Sequence, residues 1–283
     1  MVDGDIIRRA RHAGTFYPGD ELDLNRTIED LFAEANDGSP VRPEKPKALI
    51  VPHAGYMYSG VVAAKAYREL GGHTYSKILL IGPYHSHPQE GVYFKGPAPA
   101  LYDMLESPIG NIEYDKDSAG MLASTLKVEY QQTAHGGEHS LEVQLPFIAR
   151  MLPGVPASML LMGDSVYEDT SRTAAKISDL IEGDDYLVLI STDLSHFYPD
   201  KRAKELDEKS LSFIENGQAI ELHEWDKTGG GLLCGIGGVL TVMQLAELKG
   251  WSTPVRLAYQ TSGDRGGGRQ RVVGYAALAY YES

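Results

Sequence analysis

The sequence predicts an α/β fold: one domain built on a mixed, largely parallel sheet with helices on both faces, and three observations carry that expectation. Four short apolar runs, Ala48–Val51, Lys77–Gly82, Ala157–Met162 and Tyr186–Ile190, are too short for buried helices and alternate with stretches of helical spacing. Three of the four end in turn residues with a histidine just outside, as strands feeding loops do. No internal repeat, low-complexity tract or long linker divides the 283 residues, so residues 1–283 read as a single domain, of a length one layered core can serve.

Taken in order, residues 8–20 mix basic, aromatic and turn residues without periodicity and read as an arm laid over the scaffold. Leu24, Ile28, Leu31 and Phe32 share one face of a first helix, Leu22–Phe32. A proline-rich connector, Asn36–Pro46, precedes the first strand, which Pro52, Gly55 and Gly60 are expected to break, leaving His53 in a turn. A helix over Val61–Leu70 stops at Gly71 and Gly72, and the second strand exits into Pro83-Tyr84-His85-Ser86-His87-Pro88. Ser118–Leu126 reads as a helix, and His139 opens another that buries Leu141, Leu145, Ile148 and Leu152, with Pro146 near its first turn. After the third strand, Ser165 with Glu168 forms a capping-box pattern for a helix ending near Ile181. The fourth strand runs out into Ser191-Thr192-Asp193-Leu194-Ser195-His196. Asp200–Asn216 is an amphipathic helix closed by Gly217, and Ile236–Leu248 an apolar one closed by Gly250. Val255–Gln260 and Arg271–Tyr280 read as two last strands joined by SGDRGGGR, a mobile hairpin loop rather than an anion cradle.

Composition narrows the function classes. With 42% hydrophobic and 23% charged residues the chain is globular, and its formal charge of -13 repels phosphate, which argues against nucleic acid and anionic membrane. The N-terminus lacks a signal-peptide core, and no run of about 18 apolar residues occurs, so a cytoplasmic location is expected. Cys234 is the only cysteine, which excludes an intrachain disulfide, a four-cysteine zinc site and a CxxC pair.

In open α/β sheets ligands collect outside the carboxyl ends of the strands. His53, His85, Asp193 and His196 all fall there, and Cys234, at the start of a helix that would favour its thiolate, can join them from one side. Two imidazoles and a thiolate make a three-ligand metal site with open positions. The usual ferrous triad has a carboxylate where this set has a cysteine, so Fe(II) stands first while Zn(II) and Cu(I) become credible. The plainer alternatives are strand-end capping for His53 and a buried apolar thiol for Cys234. Asp193, three residues before His196, suits a carboxylate orienting an acid/base imidazole. His87 and His139 read as pocket-lining groups and Tyr56 as part of the crevice wall, whereas His12, His73, His135 and His223 lack such context.

The motifs RHAGTFYPGD, VPHAGYMYSG, KILLIGPYHSH, GEHSLEVQLPF, STDLSHFYP, CGIGGVL and VVGYAALAY span almost the whole chain, and with them it resembles the Memo-like family, also labelled AmmeMemoRadiSam system protein B. That family is similar in fold to the class III extradiol ring-cleaving dioxygenases, non-haem iron enzymes. The resemblance implies His53, His85 and Cys234 as metal ligands, Cys234 standing where the dioxygenases have a glutamate, and His196 as their acid/base histidine with Asp193 beside the cleft. It implies an oxygen-dependent or redox enzyme with an unknown small-molecule or peptide substrate, or alternatively a phosphotyrosine-type peptide-binding module. The family label also implies association with a radical SAM protein and an AMMECR1-like protein.

Overall fold

The computed structural model describes residues 6–85, 94–163, 166–183, 185–230 and 233–283. Eleven strands are present among them: β1 (Ile7–Arg8), β2 (Pro46–Val51), β3 (Lys77–Pro83), β4 (Pro97–Pro99), β5 (Met104–Leu105), β6 (Ile112–Glu113), β7 (Ala157–Met162), β8 (Tyr186–Ser191), β9 (His196–Tyr198), β10 (Val255–Thr261) and β11 (Val272–Tyr281). The helices are α1 (Glu21–Ala35), α2 (Tyr56–Arg68), α3 (Lys116–Leu126), α4 (Gln132–Gly137), α5 (His139–Glu142), α6 (Leu145–Met151), α7 (Tyr167–Leu180), α8 (Asp200–Glu215), α9 (Ala219–Lys227) and α10 (Ile236–Lys249).

The main sheet runs β10-β11-β2-β8-β3-β7-β4, with β9 paired to β11 off that path. Its centre, β2-β8-β3-β7, is parallel, and β11, β10 and β4 are antiparallel additions at the two sides. The expected mixed, largely parallel sheet between helices is therefore present. A small second sheet, β1-β5-β6, ties the N-terminal arm to the 100–113 segment.

Alternation along the central strands divides the core in two, because successive side chains point to opposite faces. Leu49, Val51, Ile78, Leu80, Leu187 and Leu189 pack with α1, α2 and α6 through Leu24, Ile28, Val62, Tyr67 and Phe147. Ala48, Ile50, Leu79, Ile81, Val188 and Ile190 pack with α7, α8 and α10 through Ile177, Leu211, Val239 and Leu240. Each such aliphatic side chain, fully buried, contributes about 1.5–3 kcal/mol before entropy is counted. α10 is buried on nearly every side from Gly237 to Ala246, which is why its sequence is apolar all round rather than amphipathic.

Three expectations need correction. Gly60 does not break the chain after β2: α2 starts at Tyr56 and runs through it. A Cβ at residue 60 would stand 2.7 Å from Leu31 Cδ1, so this glycine lets α1 and α2 approach. The helix opened by His139 is two short helices, α5 and α6, because Pro146 sits in the first turn of α6 and cannot continue the ladder of the turn before it. The hairpin loop SGDRGGGR is held by charge pairs, Arg265 with Glu34 and Arg269 with Asp200. His87 and the Ser165 cap lie outside the described residues.

Candidate metal centre

β2, β8 and β3 are neighbours and parallel, so their carboxyl ends open onto one edge. β2 delivers His53 through Pro52, β3 delivers His85 through Tyr84, and β8, between them, ends at Ser191 and releases Asp193. Cys234 arrives from the segment before α10, whose N-cap is Gly235. A Cβ on Gly235 would stand 2.6 Å from the Ser191 carbonyl oxygen, so only glycine lets this segment seat Cys234 against β8.

The hydrogen bonds around His53 fix its tautomer. The Ser191 hydroxyl has one proton and donates it to the Ser140 carbonyl at 2.6 Å. Its oxygen therefore accepts at the other contacts, from Gln144 Nε2 at 3.1 Å and from His53 Nδ1 at 2.9 Å. The Gln144 amide is itself oriented by donating to the Pro52 carbonyl at 2.9 Å. His53 thus carries its proton on Nδ1 and presents a bare Nε2. Burial, then the neighbouring His85, holds its pKa well below the usual histidine value, which keeps the ring neutral.

His85 is braced differently, to the same end. Its backbone N–H donates to Glu138 Oε2 at 2.6 Å and its Nδ1 donates to Glu138 Oε1 at 3.0 Å, again leaving Nε2 free. Burial pushes the His85 pKa down, but the bond to Glu138, that residue's charge and Asp193 outweigh it and the net displacement is upward. Glu138, fully buried, also accepts the Ser140 N–H at 2.8 Å. Burial alone would raise its pKa; the bond from His85 and the charge of that ring hold the carboxyl well below the usual range. His139 stacks on His85 with ring centroids 4.6 Å apart, and the Phe16 ring packs on it as well, its centroid also at 4.6 Å. Burial and the neighbouring His53 lower the His139 pKa to about 3, so this ring is also neutral.

Cys234 Sγ lies 3.1 Å from His53 Nε2 and accepts the Asp193 N–H at 3.1 Å. The expected thiolate at a helix N-terminus needs correction. Burial and then the Asp193 charge push the Cys234 pKa far up, so the metal-free side chain is a thiol whose proton faces the bare His53 nitrogen. Asp193 accepts the His53 N–H at 2.8 Å, and burial raises its pKa to about 6 against the lowering by that bond and by His196. His196, on β9, is half-buried and lies near enough for its charge to act on both Asp193 and His53. The Asp193 carboxylate thus holds the backbone of His53, and among the described hydrogen bonds none runs from it to the His196 ring.

The donor atoms of His53, His85 and Cys234 all lie within 4.8 Å of one another, and the same is true of His85, Glu138 and His139. With His85 in its neutral form, the first set offers two unprotonated nitrogens and a sulfur. In the second, the carboxylate is already taken up by N–H donors, so it braces rather than coordinates. The first set fits a single ion of borderline or soft character. A cleft of about 380 Å³ is lined by Tyr84, Lys95, Met162, Ile236 and Cys234. Tyr56 is only 4% exposed and its hydroxyl donates to the Val143 carbonyl at 2.8 Å; it edges a different groove, of about 720 Å³, with Phe16, Tyr58, Asp30 and Arg265.

Sequence reasoning passed over Glu138, Ser191 and Gln144, which fix the two tautomers. Glu138 is legible in hindsight as an N-cap, since its side chain accepts from Ser140 at the start of α5. His12 lacks context in the sequence, yet its Nε2 reaches the Gly137 carbonyl at 3.0 Å and its ring lies 5.7 Å from His139.

Comparison with known proteins gives the family and a likeness of fold. The family model described as Memo-like protein matches residues 8–279. A MEMO1 family protein of Methanobrevibacter smithii is 34% identical over 96% of this chain and 99% of its own length. Those of Ignicoccus hospitalis and Aquifex aeolicus are 34% and 30% identical, each over 97% of this chain and 99% of their own. An uncharacterized protein of Escherichia coli K12 of known structure, 14% identical, superposes with a TM-score of 0.55 over 82% of this chain and 98% of its own, a likeness of fold.

Proposed function

The chain belongs to the Memo-like protein family, and from that premise we propose that it is a metal-binding protein whose His53, His85 and Cys234 hold one ion beside an open crevice. The observation that carries this reading is the pair of fixed tautomers: two hydrogen-bond networks that meet at Ser140 each hold a histidine proton on Nδ1, and the donor atoms of both rings and the one sulfur lie within 4.8 Å of one another. A capping histidine or a buried apolar thiol needs no such arrangement. Fe(II) is the ion we favour, with Zn(II) or Cu(I) as alternatives, since a thiolate in place of a carboxylate softens the donor set.

The reaction class we infer is oxygen-dependent or redox chemistry on an unidentified substrate. The ion would supply an open coordination position and electrons. The protein's own groups do the rest. Asp193 fixes the backbone of His53, Glu138 fixes the His85 ring, and His139 and Phe16 wall off water on one side. His196, half-buried and not tied to a carboxylate, is the group suited to take or give a proton at a bound molecule. Association with a radical SAM protein and an AMMECR1-like protein belongs to the same proposal.

A second reading, a peptide-binding module, draws on the 720 Å³ groove with its aromatic wall. Its phosphotyrosine form is the less favoured there, because Arg265, the cation of that groove, is already paired with Glu34, and Asp30 adds negative charge.

Anaerobic reconstitution with Fe(II), followed by metal analysis and the spectrum of the nitric oxide adduct, tests the metal reading. One iron per chain and an adduct are expected for the wild type, with iron lost in His53→Ala. Equal iron in wild type and His53→Ala would overturn it.

A further inference from the structure

Arg8 is the largest fully buried side chain among the described residues, and every hydrogen bond of that side chain goes to the 135–142 segment that braces His85 or to the neighbouring Arg9 carbonyl. Nη1 donates to Glu142 Oε2 at 2.7 Å and to the Arg9 carbonyl at 3.1 Å. Nε donates to the His135 carbonyl at 3.1 Å, and Nη2 to the Glu138 carbonyl at 2.6 Å. Glu142 completes the set by accepting the His12 N–H at 2.6 Å and the Tyr17 hydroxyl at 2.8 Å. The partners are 1% and 0% exposed, so two charges have been taken wholly out of water. Such a pair gains little stability over apolar packing, and what it supplies instead is geometry.

We propose that Arg8 is a positioning residue for the metal centre: its planar fork holds both ends of the 135–142 turn and so aims the Glu138 carboxylate that keeps the His85 proton on Nδ1. The proposal rests on the metal reading only for its consequence, metal affinity. The structural link is direct. Arg8 grips the carbonyl of Glu138, an extended residue between α4 and α5, while the side chain of the same residue grips His85 by two bonds. The N-terminal arm thereby reaches a ligand it never touches. Lysine cannot replace this arginine, since the three protons of one nitrogen cannot serve three carbonyls and a carboxylate held by three separate nitrogens.

The test compares wild type with Arg8→Lys, which keeps a cation opposite Glu142, and with Tyr17→Phe, which removes another bond to Glu142 without touching Glu138. If Arg8→Lys is too unstable, the double variant Arg8→Gln/Glu142→Gln removes both buried charges together and serves the same purpose. Long-range ¹H–¹⁵N spectra of the metal-free protein, recorded at a pH where His85 is neutral, should show His85 as the Nδ1–H tautomer in wild type and Tyr17→Phe, and mixed tautomers in Arg8→Lys. Co(II) affinity should fall on the order of tenfold in Arg8→Lys, be unchanged in Tyr17→Phe, and fall no further when Arg8→Lys is added to Glu138→Ala. A lowered thermal midpoint with the His85 tautomer and Co(II) affinity of wild type would overturn the proposal, as would losses that simply add to those of Glu138→Ala. Wild type that binds no Co(II) while Arg8→Lys still shifts the tautomer would remove the metal reading and leave the Arg8–Glu138–His85 link standing.

Discussion

The chemistry of the site is set by where single protons sit. Ser191 has one hydroxyl proton and gives it to a carbonyl, so His53 must donate from Nδ1; Glu138 can only accept, so His85 must do likewise. Neither network is visible from residue spacing, because its members are far apart in the chain, 138 residues for His53 and Ser191 and 53 for His85 and Glu138. His135 shows the contrasting use of a buried histidine. It is 1% exposed, its Nε2 donates to the Ala98 carbonyl at 2.8 Å, and its Nδ1 has no partner among the described residues. Burial lowers its pKa to about 4. A base depressed on folding contributes stability that is present above its unfolded pKa and lost as pH falls through the folded one. The lowering predicts that wild type loses about 3 kcal/mol between pH 7 and pH 4 through this ring alone. Urea unfolding of wild type and His135→Gln across that range checks it: the loss should be smaller by that amount in the variant, and parallel curves would refute the assignment.

At the scale of elements, the four central strands and the histidines at their exits could be read from apolar runs and turn residues, because a strand buried on both faces leaves a short, unmistakably apolar signature. The strands β4, β5, β6 and β9 could not, since two or three residues carry no period, and α9 has only Leu222 fully buried to mark its inner face. The adjacency of β2, β8 and β3, which brings His53, Asp193 and His85 together, is a matter of topology that local patterns do not encode. Glycines were the other blind spot, read as breakers where they are contacts. The two cases predict different costs. Gly60→Ala pushes only on the flexible end of Leu31 inside a helix that gains propensity, so it should change stability by less than about 1 kcal/mol. Gly235→Ala pushes on the backbone at Ser191 and should cost about 1–3 kcal/mol while also weakening Co(II) binding, because Cys234 is its neighbour. Chemical denaturation with a Co(II) titration separates them; equal effects would contradict the packing account.

The whole molecule is a sheet with one chemically loaded edge. Both described cores are apolar, no described helix is long and apolar enough to cross a membrane, and the surplus of acidic side chains gives the chain a formal charge of -13. The resemblance read from the sequence motifs agrees with a family match over residues 8–279, while the site reading gained its detail from the Nδ1 partners. An ion that binds only the folded chain must also stabilise it, in proportion to the logarithm of its concentration over its dissociation constant. The most direct test of the centre is an anaerobic Co(II) titration followed by absorption in wild type, His53→Ala, His85→Ala and Cys234→Ser. One equivalent should bind to wild type with a sulfur-to-metal charge-transfer band and release of the Cys234 proton. The band should vanish in Cys234→Ser, and binding should weaken sharply in both histidine variants. A charge-transfer band that survives Cys234→Ser, or stoichiometric binding indifferent to His53 and His85, would contradict it.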